Sequence, residues 1–331
     1  MESQAKFRPN PDLKLMDQVR EVLRYHHYAY RTEQTYCQWI LRYIRFHGGN
    51  THPRDLTFRD VERFLSDLAV RGEVAASTQR QALNALVFLY RNVLDLPLEG
   101  KIQPVRTKKP PNLPTVLGIE EIKLFFRQIE GAHALMAKIL YGSGLRLMEC
   151  VRLRIQDVDF DRKRVQVLGK GDKWRSTILA EPIIPELYDH IQRVKALHER
   201  DLAEGFGEVY IPAALARKYK KAAMETGWQY VFPGKKRTID PRSGQERRHH
   251  VMESGLQKAV KTAARRAGID KRVTCHTLRH SFATTMLENG ITIRMLQELM
   301  GHADVKTTER YTHVMDKDIS RLASPLDGLE L

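Results

Sequence analysis

The sequence predicts two domains: an α-helical N-terminal domain and a mixed α+β C-terminal domain. Its 331 residues are about twice what a single hydrophobic core usually organises. From Leu13 to Leu98, apolar residues recur at three- and four-residue spacing with little strand signal. The stretch LEGKIQPVRTKKPPNLP then combines Gly, Pro and positive charge with neither helical nor strand period, as a linker does. The expected boundaries are 1–99 for the helical domain, 100–114 for a basic, Pro-rich linker and 115–331 for the second domain.

Within the first domain, LMDQVREVLRYHHYAYRTEQTYCQWILRYIRFHG reads as one helical unit, and Tyr25, Tyr28, Tyr36 and Trp39 fall where helix packing would use them. TFRDVERFLSDLAVRG predicts a helix with Thr57 as a cap and Asp60 as early negative charge, and AASTQRQALNALVFLYRNVL predicts another. After the linker come helical patterns in IEEIKLFFRQIE and HALMAKILYGSG. DVDFDRKRVQVLGKGDKWRSTILA, with its two strand-like runs around Gly169 and Gly171, predicts a β-hairpin. GLQKAVKTAARRAGI, HTLRHSFATTMLENG and IRMLQELMGHA return to helix, each ending near a glycine or another stop signal. The second domain is therefore expected to be mainly helical around a small antiparallel sheet.

Composition narrows the partner. Fifty-five Lys and Arg against 40 Asp and Glu leave a formal charge of +15, which favours a polyanion through phosphate contacts and counterion release. No apolar run is long enough to span a bilayer and the opening MESQAKFRPNPDLK lacks the apolar core of a secretory signal, so a cytoplasmic protein without a membrane partner is expected. Cys37, Cys150 and Cys275 are far apart and form no CxxC pair, which argues against a disulfide framework or thiolate zinc site.

Four stretches concentrate the chemistry: YGSGLRLMECVRL, LGKGDKWR, CHTLRHSFATTML and LMGHADVKTTERYTHV. A tyrosine hydroxyl becomes a nucleophile when nearby cations favour its ionised form, and Tyr311 follows a basic, polar turn. Two guanidiniums, Arg146 and Arg279, could meet the negative charge of a phosphorus transition state with bidentate, permanently charged donors. His276 lies three residues before Arg279, a spacing that puts both on one helix face, and His302 could add a hydrogen bond. Another reading is a zinc site from His276, His280 and His302. HTLRH, however, lacks the glutamate of HExxH and would put Arg279 beside the metal.

In this order, the four stretches resemble the signature of the tyrosine recombinases. The resemblance implies a helical core-binding domain and a catalytic domain forming a clamp on DNA, with Arg146, Lys170, His276, Arg279, His302 and Tyr311 as catalytic residues. Lys170 would be the general acid, and proton transfer for Tyr311 stays shared between His276 and His302. A 3′-phosphotyrosyl intermediate, no metal or other cofactor, and a homo-tetramer acting on two DNA sites are implied as well. The C-terminal SPLDGLEL would dock on a neighbouring protomer. Met300 stands where the family often has Leu before Gly-His, a volume-preserving change.

Most of the chain resembles the integron integrases in particular, enzymes that capture and excise gene cassettes. Their substrates are attC, a folded single strand, and attI, a duplex. Residues at about 203–250 would form the additional segment of that subfamily, with Trp228, Pro241, His249 and His250 contacting extrahelical bases of attC. Aromatic faces suit that task because every base has a π-face to stack on. The alternatives are a tyrosine recombinase of ordinary duplex sites, such as a phage-type integrase or chromosome-dimer resolvase, and a non-catalytic DNA-binding regulator.

Overall fold

The computed structural model describes residues 7–99, 102–105, 114–169 and 173–312. The chain divides into two compact units, Met1–Asn112 and Leu113–Leu331. The hairpin-tip residue Lys170 and the SPLDGLEL segment lie outside the described residues.

The first unit holds helices α1 (Leu15–Tyr25), α2 (Tyr30–Phe46), α3 (Phe58–Val70) and α4 (Ala76–Phe88), and α4 runs on into a π-helical turn, Leu89–Val93. The stretch expected as one helical unit is broken between α1 and α2, where His27 takes φ +56°. α3 is capped chiefly by its acidic residue: the Asp60 carboxylate accepts from the Thr57 backbone N–H at 2.8 Å and from the Thr57 hydroxyl at 2.9 Å. One core joins the four helices through Val22, Ile40, Phe64, Leu86 and Leu89. Inside it the Tyr90 hydroxyl donates to the Pro53 carbonyl at 2.8 Å and stands 3.0 Å from the Tyr43 hydroxyl. Tyr28 and Tyr36 pack edge-on around Phe88, as expected of core aromatics. Tyr25 does not: it is 52% exposed and stacks on Phe7. The described part of the stretch read as a linker is held on this unit, because Val105 accepts from Gln79 and donates to Ser66.

The second unit opens with α5 (Ile119–Phe126), α6 (Gly131–Ser143) and α7 (Leu147–Val151). Strands β1 (Val158–Asp159), β2 (Arg164–Leu168) and β3 (Trp174–Ile178) follow and form an antiparallel sheet in that order. In the expected hairpin Val165 pairs with Thr177 and Leu168 with Trp174. Next come α8 (Ile184–Ala203), α9 (Ala213–Lys218), and the two-residue strands β4 (Thr238–Ile239) and β5 (Glu246–Arg247), paired with each other. The unit ends in α10 (Glu253–Arg266), α11 (Cys275–Glu288), α12 (Ile293–Met300) and α13 (Lys306–Glu309).

α6 is buried nearly all round, through Leu135, Met136, Ile139 and Leu140, as a helix does at the centre of a domain. It shares the main core with Val165, Leu187, Leu256 and Leu278 from the surrounding elements. Among the described residues no helix is long and apolar enough to cross a membrane.

Candidate active site

α6 ends at Gly144 in the left-handed conformation, φ +62°, and a Cβ there would lie 2.4 Å from the Phe282 ring. α12 ends the same way at Gly301, φ +62°, where a Cβ would lie 2.6 Å from the Arg175 side chain. Such caps leave the last carbonyls of a helix without partners inside it, at the negative end of its dipole. Here arginines take them. Arg175 Nε donates to the Leu299 carbonyl at 2.9 Å, Arg279 Nη2 to Met300 at 2.6 Å, and Arg146 Nη2 to Gly301 at 3.0 Å. Arg279, only 3% exposed, also donates to the Gly144 carbonyl.

Glu149 supplies the compensating charge. It accepts from the Arg146 backbone N–H and Nη1, both at 2.7 Å, and from Arg175 Nη1 and Nη2 at 2.8 and 2.7 Å. Its carboxylate also lies 3.9 Å from Arg279 Nη1. Burial alone would raise the Glu149 pKa, but hydrogen bonding and charge from Arg175 and Arg146 outweigh it and hold the carboxyl at about 2. Arg279 is lowered to about 9 by burial first and then by the charge of Arg146, which leaves it cationic at neutral pH.

His302 Nε2 lies 3.3 Å from Arg279 Nη2, a group that can only donate, so Nε2 accepts and the ring proton sits on Nδ1, 2.9 Å from Thr308 Oγ1. Burial and the neighbouring arginines lower His302 to about 3. Its ring is near-parallel to that of Tyr311, with centroids 6.3 Å apart. Tyr311 is 2% exposed. Burial raises its pKa and outweighs the lowering effect of Arg279, Arg310 and Arg146, so its hydroxyl is a neutral phenol here. That hydroxyl meets His280 Nδ1 at 2.9 Å. His276 is exposed at the start of α11, its ring 6.3 Å from that of His280. Arg146, Arg279, His302 and Tyr311 are thus brought together, with His276 at the margin. Among the described residues no three metal-ligating side chains are arranged to hold an ion. His276, His280 and His302 do not form a ligand set, since both His302 nitrogens already have partners.

A second cluster lies in the segment after α8. The Arg154 guanidinium sits over the rings of Trp228 and Tyr230, 5.3 and 4.8 Å from their centroids, and donates to the carbonyls of Trp228 and Tyr210. His249 lies parallel to Tyr230 at 5.6 Å, and His250 meets His249 edge-on at 4.3 Å. Burial first, then the charge of His250 and Arg152, hold His249 down at about 4. Pro241 is apart from this stack, exposed in the turn between β4 and β5.

Residues 117–318 match the model of the phage integrase family, and residues 15–99 that of its N-terminal SAM-like domain. The chain belongs to the phage integrase family of tyrosine recombinases. Among relatives, an integrase/recombinase of Escherichia coli is 45% identical over 98% of this chain and 96% of its own. Tyrosine recombinase XerA of Pyrococcus furiosus is 32% identical over 83% of this chain and 82% of its own. The crystal structure of the XerH site-specific recombinase on difH DNA covers 95% of this chain and 97% of its own, with TM-score 0.59 and 19% identity, a likeness of fold.

The recombinase motifs led to Arg146, Arg279, His302 and Tyr311, but not to the residues that connect them. Glu149 stands three residues after Arg146, the spacing of a capping box, a signal available in the sequence. Arg175 follows the exposed Trp174 in β3 and so points to the sheet's inner face. The sequence offers His280 only as a metal-ligand candidate, four residues after His276. No sequence signal marks its contact with Tyr311, 31 residues away.

Proposed function

We propose that this tyrosine site-specific recombinase is an integron integrase, which cuts and rejoins DNA at attC and attI sites to capture and excise gene cassettes. In this reading Tyr311 attacks the scissile phosphorus and forms a 3′-phosphotyrosyl bond, and the 5′-oxygen leaves with a proton from Lys170. Arg146 and Arg279 meet the charge on the non-bridging oxygens. Of the five N–H donors on each guanidinium, the contacts above engage two of Arg146 and three of Arg279, leaving donors on both for the phosphate. His276 adds a donor at the margin of the anion site, and His302 holds the Arg279 guanidinium in place through Nε2. The protein acts in the cytoplasm as a homo-tetramer on two DNA sites, without metal or other cofactor.

The observation that carries the integron reading is the ring cluster of Trp228, Tyr230, His249 and His250 around Arg154. A neutral imidazole lying parallel to a tyrosine, beside an indole under a guanidinium, offers faces for a base pushed out of a hairpin stem. Pro241 would stiffen the neighbouring turn, and segment 203–250 would hold the whole. A recombinase of ordinary duplex sites is the second reading, supported by the likeness to XerA.

The test is a denaturing gel for covalent protein–DNA adduct with a folded single-stranded attC hairpin and its fully paired duplex. Adduct on the hairpin, weak on the duplex, lost in Tyr311→Phe and reduced in Trp228→Ala is the expected result. Equal trapping on both substrates would favour the duplex reading, and adduct persisting in Tyr311→Phe would overturn the nucleophile.

A further inference from the structure

Among the described residues, the hydrogen-bonding partner of Tyr311 Oη is His280 Nδ1, at 2.9 Å. Arg279 and His280 are consecutive on α11, so their side chains leave the helix roughly 100° apart. One serves the carbonyls of Gly144 and Met300, the other the phenol. The turn after α13 fixes the tyrosine from behind, its backbone N–H donating to the Thr308 carbonyl at 3.0 Å. His302, the other histidine beside the tyrosine ring, has its two nitrogens on Thr308 and Arg279.

We propose that His280 orients the nucleophile and accepts its proton, a role outside the set of residues that the motifs supply. This rests on the reading of Tyr311 as the nucleophile. As Oη forms its bond to phosphorus, the phenolic proton passes to His280 Nδ1. The bond from phosphorus to the 5′-oxygen breaks, and that oxygen takes the Lys170 proton. Rejoining reverses each transfer.

Without DNA the surroundings keep this imidazole unprotonated while weakening it as a base. Burial first, then the charges of Arg310, His276 and Arg279, which face His280 with Tyr311, hold its pKa at about 4. The imidazole is therefore neutral at neutral pH, with one nitrogen lone pair available. Arrival of a phosphodiester adds negative charge beside those arginines. This favours the imidazolium at the step where the proton must move.

The experiment measures single-turnover adduct formation by the full chain, wild type and His280→Phe, His280→Gln, Lys170→Ala and Tyr311→Phe. Each is tested on the folded attC hairpin and on the duplex, with the scissile 5′-oxygen natural or replaced by sulfur. A thiolate leaves without an acid, so the sulfur substrate should restore Lys170→Ala and leave His280→Phe slow. At pH 7, His280→Phe should be about 100-fold slower or worse with unchanged DNA affinity. Between pH 7 and about pH 8.5, where Arg279 keeps its charge, the rate of His280→Phe should climb with the ionised fraction of the phenol while that of wild type stays level. His280→Gln holds the hydroxyl without taking its proton and should fall between. It also keeps the test alive should the phenylalanine variant fail to fold.

Rates of both His280 variants within twofold of wild type would overturn the proposal, as would full rescue of His280→Phe by sulfur. Adduct formed by Tyr311→Phe would instead overturn the reading beneath it.

Discussion

Glu149 and Arg175 face each other through two hydrogen bonds of 2.8 and 2.7 Å, each side chain only 8% exposed. The pair joins the hairpin strand β3 to the start of α7 and, through the Arg175 bond to the Leu299 carbonyl, to the end of α12. Glu149→Gln would leave Arg175 buried without its counter-charge and remove the group that holds Arg146. Losing one partner of a buried pair costs about 3–5 kcal/mol. The melting temperature should fall accordingly, and adduct formation should fall with it.

The same carboxyl makes stability depend on pH. Its pKa lies at about 2 in the fold, below its ordinary value of 4.5. A depressed acid contributes fully above its unfolded pKa, and the contribution is lost as pH falls toward the folded value. Chemical denaturation of wild type should show stability declining between pH 4.5 and pH 2, with that part of the slope absent in Glu149→Gln.

Gly144→Ala would force a left-handed backbone on alanine and drive its Cβ to 2.4 Å from the Phe282 ring. Together these should cost about 2–4 kcal/mol. Because Arg279 donates to the Gly144 carbonyl, adduct formation should drop by more than the unfolded fraction accounts for, measured on the folded population at low temperature.

In the N-terminal unit the hydroxyls of Tyr43 and Tyr90 should not be equivalent. The Tyr90 proton goes to the Pro53 carbonyl, so Tyr43 must donate to Tyr90 across their 3.0 Å contact. Tyr43→Phe removes one donor and leaves Tyr90 satisfied, a loss of about 1 kcal/mol, while Tyr90→Phe strips partners from two buried groups and should cost about 2. Urea titrations of the two variants would rank them; the reverse order would show the donor assignment to be wrong.

Asp201, 3% exposed at the end of α8, receives Arg248 Nη2 at 2.7 Å and Arg237 Nη1 at 2.9 Å. Those arginines come from the segment that carries the ring cluster. Arg237 has further carboxylate partners in Glu204 and Glu246, but among the described ion pairs Arg248 has Asp201 alone. Asp201→Asn should loosen residues 234–250, seen as faster hydrogen exchange or proteolysis there. Hairpin affinity should fall several-fold while the duplex is held as before.

Local signals in the sequence were enough for much of this. Periodicity gave the N-terminal helices, alternation around Gly169 and Gly171 gave the hairpin, and glycines marked the ends of α6 and α12. α8, with Leu187, Ile191 and Val194 at helical spacing, was equally available and formed no part of the expectations. What local pattern cannot show is which distant groups meet. Arg146 binds the carbonyl of Gly301, 155 residues away, and His280 meets Tyr311 only because the turn after α13 returns across α11. The burial that raises the Tyr311 pKa is hidden for a related reason. Cations nearby in sequence are visible, whereas burial is a property of the assembled core.

The end of α12 binds its three arginines by main-chain oxygens at three consecutive positions, 299, 300 and 301. Those contacts are therefore written in backbone shape, and the identity of the side chains there hardly enters them. Positions 299 and 300 can drift among residues that keep the helix and fill the core, as Met at 300 illustrates. Position 301 cannot, because any side chain would alter the turn that aims the oxygens. An alignment scored on side chains would undervalue this stretch, while a designer recoding the enzyme could rewrite two of its three letters and keep every arginine in place.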